Sequence, residues 1–219
     1  MTENEKMLAG KIYDPFGGDM VERRRKAHDL CSKYNQTLES DESARNEILD
    51  ELIPNRAEGV YLQGPIYFDF GTNTTFGERS YANFNFTVLD ICPVTIGHDV
   101  FFGPNVSLLT PLHPLCHQDR NPYFDKAKGY QTEREYGAPI TIGDNCWICG
   151  NVTICAGVTI GEGCVIGAGS VVTRDIPKNS LAVGNPCRVL RTITDADRLK
   201  NHPELFADND YDEMLKETN

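Results

Sequence analysis

The chain has 219 residues and a net charge of −11, with 32 acidic against 21 basic residues. Such an acidic chain lacks the basic face that nucleic-acid binding needs, and it contains no apolar run of about 18 residues that would predict a membrane span. The first residues, MTENEKMLAGKIYD, lack the apolar core of a signal peptide. We therefore expect a cytoplasmic protein whose eight cysteines are free thiols.

Two helices are predicted in the N-terminal segment 1–58. Apolar residues between Met20 and Tyr34 recur at helical spacing, which indicates a first amphipathic helix. Ser40 and Asp41 are residues that can cap a second helix, and its apolar residues again share one face. We expect this segment to form a helical cap.

A six-residue repeat replaces the helical period over 59–191. Aliphatic residues recur at every sixth position from Ile142 to Val172, and most are followed four residues later by a small or β-branched residue. The same period of six runs upstream through Leu108, Phe102, Ile96, Asp90 and Phe84. Glycine follows several of these positions, where a tight corner can use its backbone freedom. A period of six fits neither an α-helix nor an alternating strand, and it predicts a parallel β-helix of short strands.

The repeat is interrupted once, by the loop 109–139. Leu108 and Ile142 are not a multiple of six residues apart, so the intervening segment must leave the coil. It is rich in Pro, His, Tyr and charged residues. Because a regular coil wall carries little chemistry, we expect this extruded loop to carry function.

Cys146 and Cys149 frame the only tryptophan, Trp147, in a C-x-x-C motif that could be a redox dithiol or half of a zinc site. The repeat places Cys146 inward, in a slot for a small side chain, and Cys149 at a corner where glycine is usual. No second C-x-x-C motif completes a zinc site. We interpret the pair as part of the coil wall.

The last segment, 192–219, is polar and acidic. Its composition predicts a solvated extension that is partly helical and loosely attached.

The chain resembles the maltose/galactoside O-acetyltransferases, the sugar acetyltransferase branch of the hexapeptide-repeat acyltransferases. The resemblance covers about residues 5–192 and is carried by MLAGKIYD, ERRRKAHDLCSKYN, YANFNFTVLDICPVTIG, LTPLHP, APITIGDNCWICGNVTICAGVTIG, VIGAGSVVTRDIP and GNPCRVLR. It implies a left-handed parallel β-helix, assembly as a homotrimer with sites at subunit interfaces, and acetyl-CoA as the cosubstrate without a metal. It implies that the acceptor is a hydroxyl of a sugar or a related small molecule.

The resemblance assigns roles to individual residues. His113, in the T-x-x-H-P segment, is the expected general base, and an imidazole that titrates near neutral pH suits that task. Glu135 matches a carboxylate that assists the histidine, although a solvated loop charge is the alternative. The positions matching acceptor contacts are Asp14, Arg24, Asp69, Tyr81 and Asn83. Asp14 and Arg24 could instead pair with each other and fix the cap.

The resemblance also implies a groove for acetyl-CoA along the coils. The matching positions are Trp147, Gly150, Ala168, Thr173, Arg174, Lys178 and Arg188. Small residues would let the pantetheine arm lie close to the wall, and Arg174 with Lys178 could meet phosphate groups. The alternative for these two cations is a solvated corner. Cys149 departs from the glycine that the family usually has beside the thioester path.

Other functions stay open at this point. A γ-type carbonic anhydrase would use His98, His113 and His117 as metal ligands, but Pro114 and the flanking motifs speak against it. A non-catalytic hexapeptide scaffold is a second alternative, and an amino sugar or another non-sugar acceptor is a third. The sequence does not identify the acceptor.

Overall fold

The computed structural model describes residues 1–207 together with 210 and 211. The chain begins with three helices, which are α1 (Glu3–Leu8), α2 (Met20–Gln36) and α3 (Glu42–Leu52). The two predicted helices are therefore confirmed, and the Asp41 carboxylate caps α3 by accepting a hydrogen bond from the Ala44 amide at 3.2 Å. Helix α1 was not predicted, although Thr2 and Glu5 form a capping box that marks its start in the sequence.

After the helices, short parallel strands stack into three faces and form the predicted β-helix. The first face consists of β1 (Asn55–Arg56), β4 (Thr74–Phe76), β7 (Val94–Ile96), β14 (Ile140–Ile142) and β17 (Thr159–Ile160). The second face consists of β2 (Tyr61–Leu62), β5 (Tyr81–Ala82), β8 (Phe101–Phe102), β15 (Trp147–Ile148), β18 (Val165–Ile166), β20 (Ser180–Val183) and β21 (Arg188–Thr192). The third face consists of β3 (Ile66–Phe68), β6 (Phe86–Leu89), β9 (Ser107–Leu109), β16 (Thr153–Cys155) and β19 (Val171–Val172).

Three corners join the faces in each coil. The first corner follows a strand of the first face, for example at 77–80 after β4. The second corner follows a strand of the second face, for example at 83–85 after β5. The third corner follows a strand of the third face, for example at 69–73 after β3. Each strand turns its aliphatic residues inward and its remaining residue outward. The interior is therefore one continuous apolar core, which α3 closes at the N-terminal end with Leu49 and Leu52.

The predicted period of six is confirmed at Ile96, Phe102 and Leu108, which are buried, but it fails before Ile96. Thr75 pairs with Thr95, twenty residues on, whereas Thr141 pairs with Thr159, eighteen residues on. The early coils therefore hold two more residues at the third corner. Consequently the buried positions that align with Phe102 and Leu108 are Ala82 and Val88, and the predicted periodic residue Phe84 is 51% exposed at the second corner.

The loop 109–139 leaves the coil between β9 and β14, as predicted. It contains the two-residue strands β10 (Pro111–Leu112) and β13 (Tyr136–Gly137), which pair antiparallel at the base of the loop. Its outer part holds the short helix α4 (His117–Arg120) and a hairpin of β11 (Tyr123–Asp125) and β12 (Tyr130–Thr132). The loop is thus a folded appendage on the third corner.

The chain leaves the coil through β21, which pairs antiparallel with β20. The predicted acidic extension continues with three 3₁₀ turns at Asp195–Asp197, Leu199–Asn201 and Pro203–Leu205, and its remainder lies largely outside the described residues. In the part of the chain that the structure describes, no helix combines the length and the apolar character needed to cross a bilayer.

Candidate active site

The base of the loop is joined to the N-terminal cap at one point. Tyr13 and Glu135 form an isolated antiparallel bridge, in which the Tyr13 amide donates to the Glu135 carbonyl at 2.9 Å. The Tyr13 hydroxyl also donates to Oε2 of Glu135. Both side chains are buried, with Tyr13 3% and Glu135 9% exposed. Glu135 is therefore held in place by protein contacts, which argues against the solvated charge that the sequence left open.

His113 faces the other oxygen of the same carboxylate. Its Nε2 atom lies 3.8 Å from Oε1 of Glu135, and 44% of the histidine side chain is exposed. Burial raises the pKa of Glu135, while the Tyr13 hydroxyl, His113 and Arg24 act against that rise. The result is a solvent-accessible imidazole beside a buried carboxylate.

Asp69 and Arg24 lie close to this pair. Asp69 follows β3 at the third corner, and burial raises its pKa against the effects of His28 and Arg24. Its Oδ1 atom is 3.5 Å from Nε2 of His28. Arg24 lies on α2 and is near enough to lower the pKa values of both Asp69 and Glu135. The structure thus brings four of the predicted site residues together at the third corner, namely His113, Glu135, Asp69 and Arg24.

Asp14 does not pair with Arg24, whose guanidinium instead donates to the Pro15 carbonyl at 3.4 Å. The Asp14 carboxylate accepts hydrogen bonds from Lys128 at 2.6 Å, from Tyr130 at 2.7 Å, from Thr132 and from the Phe16 amide at 3.0 Å. Protein donors thus surround both of its oxygens. We call Asp14, Lys128, Tyr130 and Thr132 the hairpin clamp, because their hydrogen bonds fasten the β11–β12 hairpin to the cap. An acceptor that bound to Asp14 would have to displace one of these donors.

Tyr81 and Asn83 lie elsewhere on the coil. Tyr81 is on the second face, where its ring stacks on Tyr61 with centroids 6.0 Å apart. Asn83 is at the second corner, where its side-chain oxygen accepts a hydrogen bond from the Phe84 amide at 2.8 Å. Within one chain these two predicted acceptor contacts are therefore on a different side of the solenoid from His113.

The predicted acetyl-CoA positions are also distributed around the coil. Trp147 is 54% exposed on the second face, next to Phe101, which is 52% exposed. Gly150 and Ala168 lie at the second corner, Thr173 and Arg174 at the third, Lys178 at the first, and Arg188 on β21. Arg174 and Lys178 are exposed and form no ion pair with any described residue, so both can meet an anionic ligand.

The two cysteines of the C-x-x-C motif lie in different environments, as the repeat predicts. Cys146 is buried inside the coil, and its hydrogen bond with Cys164, together with burial, raises the pKa of its thiol. Cys149 is half-buried at the second corner, and all eight cysteines are free. Across the described residues no three His, Cys, Asp or Glu side chains cluster closely enough to hold a metal ion. The ligand set that a γ-type carbonic anhydrase needs is therefore not assembled in this part of the chain.

Sequence reasoning named Glu135 and Asp14 but missed the partners through which they connect the cap and the loop, which are Tyr13, Lys128, Tyr130 and Thr132. Tyr13 and Glu135 are 122 positions apart, and Asp14 is more than 110 positions from its three side-chain partners. No local pattern links residues at such separations. The only sequence signal was that Tyr13 stands next to Asp14, which was itself a candidate.

Comparisons with known proteins agree with this architecture. Residues 6–55 match a family model described as the maltose acetyltransferase hexapeptide capping motif, and residues 139–174 match the bacterial transferase hexapeptide model of six repeats. A helical cap on a hexapeptide coil with a histidine-bearing loop defines a hexapeptide-repeat acyltransferase.

Individual relatives identify the family more narrowly. The galactoside O-acetyltransferase of Escherichia coli is 39% identical over 90% of this chain and 93% of its own. A maltose O-acetyltransferase from Clostridium difficile superimposes with a TM-score of 0.77 at 42% identity, covering 89% of this chain and 99% of that one. A galactoside acetyltransferase in complex with coenzyme A superimposes with a TM-score of 0.81 at 39% identity, covering 90% and 94%. The chain belongs to the maltose/galactoside O-acetyltransferase family and is an acetyltransferase.

Proposed function

We propose that this protein transfers the acetyl group of acetyl-CoA to a hydroxyl of a sugar or a closely related small acceptor, with His113 as the general base. The observation that carries the proposal is the placement of the accessible His113 imidazole 3.8 Å from the buried Glu135 carboxylate, in the one loop that interrupts the coil. The relatives named for galactoside and maltose acetylation, one of them bound to coenzyme A, support the substrate class.

The chemistry assigned to His113 is a single direct transfer. A sugar hydroxyl is a poor nucleophile, so His113 removes its proton as the oxygen attacks the thioester carbonyl. The imidazolium that results carries a positive charge, and the Glu135 carboxylate on the opposite side of the ring stabilises it. His113 then returns the proton as the carbon–sulfur bond breaks and coenzyme A leaves as a thiol.

The acceptor side of the site combines carboxylate, guanidinium and amide groups. Asp69 and Arg24 lie beside the His113–Glu135 pair and can hydrogen-bond to ring hydroxyls. Tyr81 and Asn83 can join them only from another copy of the chain, because they lie at the second face and second corner. We therefore infer a homotrimer in which the second corner of one copy meets the third corner of its neighbour, as a closed symmetric ring allows.

The same arrangement provides a groove for acetyl-CoA. Trp147 offers an exposed aromatic surface for the pantetheine arm, and Gly150 and Ala168 keep the corner shallow. The phosphates would meet Arg174, Lys178 and Arg188, none of which is neutralised by an ion pair within the described residues. The donor set is therefore chemically suited to coenzyme A without a metal.

The decisive experiment follows thiol release from acetyl-CoA against a panel of glucosides, galactosides, maltose, amino sugars and simple amines. We expect turnover with one or more sugars whose hydroxyls are free. His113→Ala should lower that rate by about 10²- to 10⁴-fold, because general base catalysis contributes that much. His117→Ala is the matched control, since His117 is an exposed histidine four residues along the same loop.

Two outcomes would contradict the proposal. Wild-type rates in His113→Ala would remove the general base, and turnover restricted to amines would replace the hydroxyl acceptor by an amino group. Equal losses in the His113→Ala and His117→Ala variants would point to a displaced loop instead of a missing base.

A further inference from the structure

We propose that Tyr13 is a positioning residue of the acyl-transfer site, whose hydroxyl keeps the Glu135 carboxylate fixed and charged beside His113. The inference rests on the proposed role of His113 as the base. Tyr13 belongs to the cap, not to the loop, so the cap would take part in the chemistry as well as in acceptor binding.

Two contacts place Tyr13 against Glu135. The phenol donates to Oε2, and the backbone bridge between the two residues fixes the direction from which it does so. The remaining oxygen, Oε1, is the one that faces His113. Tyr13, Glu135 and His113 thus form a line from the protein interior to solvent.

The groups around Glu135 explain why it needs a donor. Burial raises its pKa, and the negative charge of Asp69 adds to that effect. Three groups lower the pKa of Glu135. The Tyr13 hydroxyl has the largest effect, followed by His113 and then by Arg24. The Cys92 thiol lies within range of the Glu135 charge and donates to the Met7 carbonyl at 3.2 Å. Because burial raises its pKa to about 11, it stays neutral and supplies no counter-charge.

Tyr13 itself is suited to this task. Burial and the neighbouring Glu135 carboxylate raise the pKa of the phenol far above its ordinary value, so the hydroxyl keeps its proton and always acts as the donor. A phenylalanine at this position would preserve the packing and remove only that donor. Without the hydrogen bond from Tyr13, burial would raise the pKa of Glu135 further, so the carboxyl would take up a proton at a higher pH.

The effect would reach His113 through charge. A protonated Glu135 no longer stabilises the imidazolium that forms during transfer, so the rate falls wherever Glu135 is neutral and recovers at a pH where it ionises. A purely structural contact between cap and loop would instead change the rate equally at every pH. The hairpin clamp already fastens the loop to the cap through Asp14, so loop docking does not depend on the Tyr13 hydroxyl alone.

The test compares Tyr13→Phe with three variants. Tyr13→Gln keeps a side-chain donor, Glu135→Gln fixes the carboxyl in an uncharged form, and Tyr130→Phe removes a phenol from the hairpin clamp while leaving Glu135 untouched. Two measurements are made: the pH profile of kcat/KM with the best acceptor on every protein, and the carbon-13 NMR titration of the Glu135 side-chain carboxyl, assigned by its loss in Glu135→Gln, on every protein that keeps Glu135.

For Tyr13→Phe we expect kcat/KM to fall by about tenfold at the acid end of the profile and the deficit to shrink as the pH rises and Glu135 ionises. The Glu135 titration should move to higher pH in Tyr13→Phe, because the carboxylate has lost a hydrogen-bond donor. Tyr13→Gln should restore most of the wild-type profile, and adding Tyr13→Phe to Glu135→Gln should cause no further loss. Tyr130→Phe should leave the Glu135 titration unchanged.

A pH-independent loss in Tyr13→Phe, or an unchanged Glu135 titration, would overturn the proposal. If Tyr13→Phe did not fold, a kcat/KM profile in Tyr13→Gln that matched Glu135→Gln would overturn it as well. The Glu135 titration needs no acceptor, so it reports on Tyr13 even if wild-type protein acetylates nothing on the panel. Such an absence of acetylation would contradict the proposed function alone.

Discussion

At the scale of single residues, asparagine occupies the left-handed position of the second corner in three coils, whereas the glycines predicted to use their backbone freedom directly after the periodic residue, such as Gly103, do not have positive φ. Asn85, Asn105 and Asn151 all have φ near +59°, in the left-handed region. Their side chains form a ladder, in which Asn85 donates to Asn105 at 2.9 Å and Asn105 donates to Asn151 at 3.1 Å. Asparagine tolerates this conformation better than other residues with a side chain. The three Asn-x-Ser/Thr triplets at these positions therefore follow from the coil geometry.

Because of this ladder, we expect two substitutions of its central residue to lower the free energy of unfolding by different amounts. Asn105→Ala should lower the free energy of unfolding by about 1 to 2 kcal/mol, because alanine resists the left-handed conformation and makes no amide hydrogen bond. Asn105→Gly should cost less, because it loses the hydrogen bonds but keeps the backbone freedom. Urea unfolding measures both, and equal losses would show that only the hydrogen bonds matter.

Cys149 gives a second prediction at this scale. Cys149 and Cys155 are matched half-buried thiols, and burial raises the pKa of each. If acetyl-CoA lies along the second corner, a concentration about ten times its Kd should slow alkylation of Cys149 about tenfold and leave Cys155 unaffected. Peptide mass spectrometry after iodoacetamide treatment separates the two sites, and equal protection would place the cofactor elsewhere.

At the scale of elements, the coil and the loop differ in how far the sequence could predict them. Every coil repeats the same steric requirement, so the spacing from Ile142 to Val172 was enough to predict the downstream strands. The prediction held upstream as far as Ile96 and failed before it, because the additional residues at the third corner, around Asp90, preserve inward burial without preserving the period of six. The Asp90 carboxylate accepts hydrogen bonds from the Phe70 amide, the Gly71 amide and the Thr74 hydroxyl, which stabilises that wider corner.

The candidate site was less predictable than the coil. His113 and Glu135 were found because the loop breaks the repeat and resembles a known family. Their shared geometry depends on Tyr13 and on the hairpin clamp, and in both cases the contact joins the loop to a residue of the cap more than 110 positions from its partner. Contacts between distant segments have no period in the sequence, so only the folded chain reveals them.

The hairpin clamp makes a prediction about loop docking. Asp14→Ala leaves the donors Lys128, Tyr130 and Thr132 without their common acceptor, so the hairpin should open more often. Tryptic cleavage after Lys126 and Lys128 should accelerate by about tenfold or more, which corresponds to about 1.4 kcal/mol of lost docking free energy. Asp119→Ala is the control, because Asp119 lies in the same loop and its side chain makes no hydrogen bond among the described residues. An unchanged cleavage rate in Asp14→Ala would show that other contacts hold the hairpin.

The same clamp predicts how docking depends on pH. Burial raises the pKa of Asp14, but the hydrogen bonds from Lys128, Thr132 and Tyr130 outweigh it and lower the pKa to about 2, against 3.8 ordinarily. Because the docked pKa is the lower one, the carboxylate stabilises docking fully above about pH 4 and progressively less as the pH falls towards 2. The protection of the amides in 123–132, taken as the exchange rate relative to the intrinsic rate at the same pH, should therefore fall over this range in wild-type protein. In Asp14→Asn this protection should be lower throughout and should lose the dependence on pH.

At the scale of the whole molecule, the faces of the solenoid differ in character. The outward positions of the second face form a continuous aromatic row of Tyr61, Tyr81, Phe101 and Trp147, in direct register from coil to coil. The outward positions of the first face form a row of exposed threonines, Thr75, Thr95, Thr141 and Thr159. An exposed apolar row of this length is typical of an interaction surface, whereas a threonine row is compatible with solvent.

This contrast gives a matched test of the inferred trimer. Phe101→Asp places a charge in the middle of the aromatic row, and Thr95→Asp places the same charge in the same coil on the threonine row. If the second face is the subunit interface, burying an unpaired carboxylate there is strongly unfavourable, so Phe101→Asp should sediment as a monomer while Thr95→Asp remains a trimer. Because Tyr81 and Asn83 reach His113 only from a neighbouring copy, the monomer should also lose acetyl transfer by about 100-fold or more. A trimeric and fully active Phe101→Asp would place the interface on another face, and a monomer with wild-type activity would show that one chain holds the complete site.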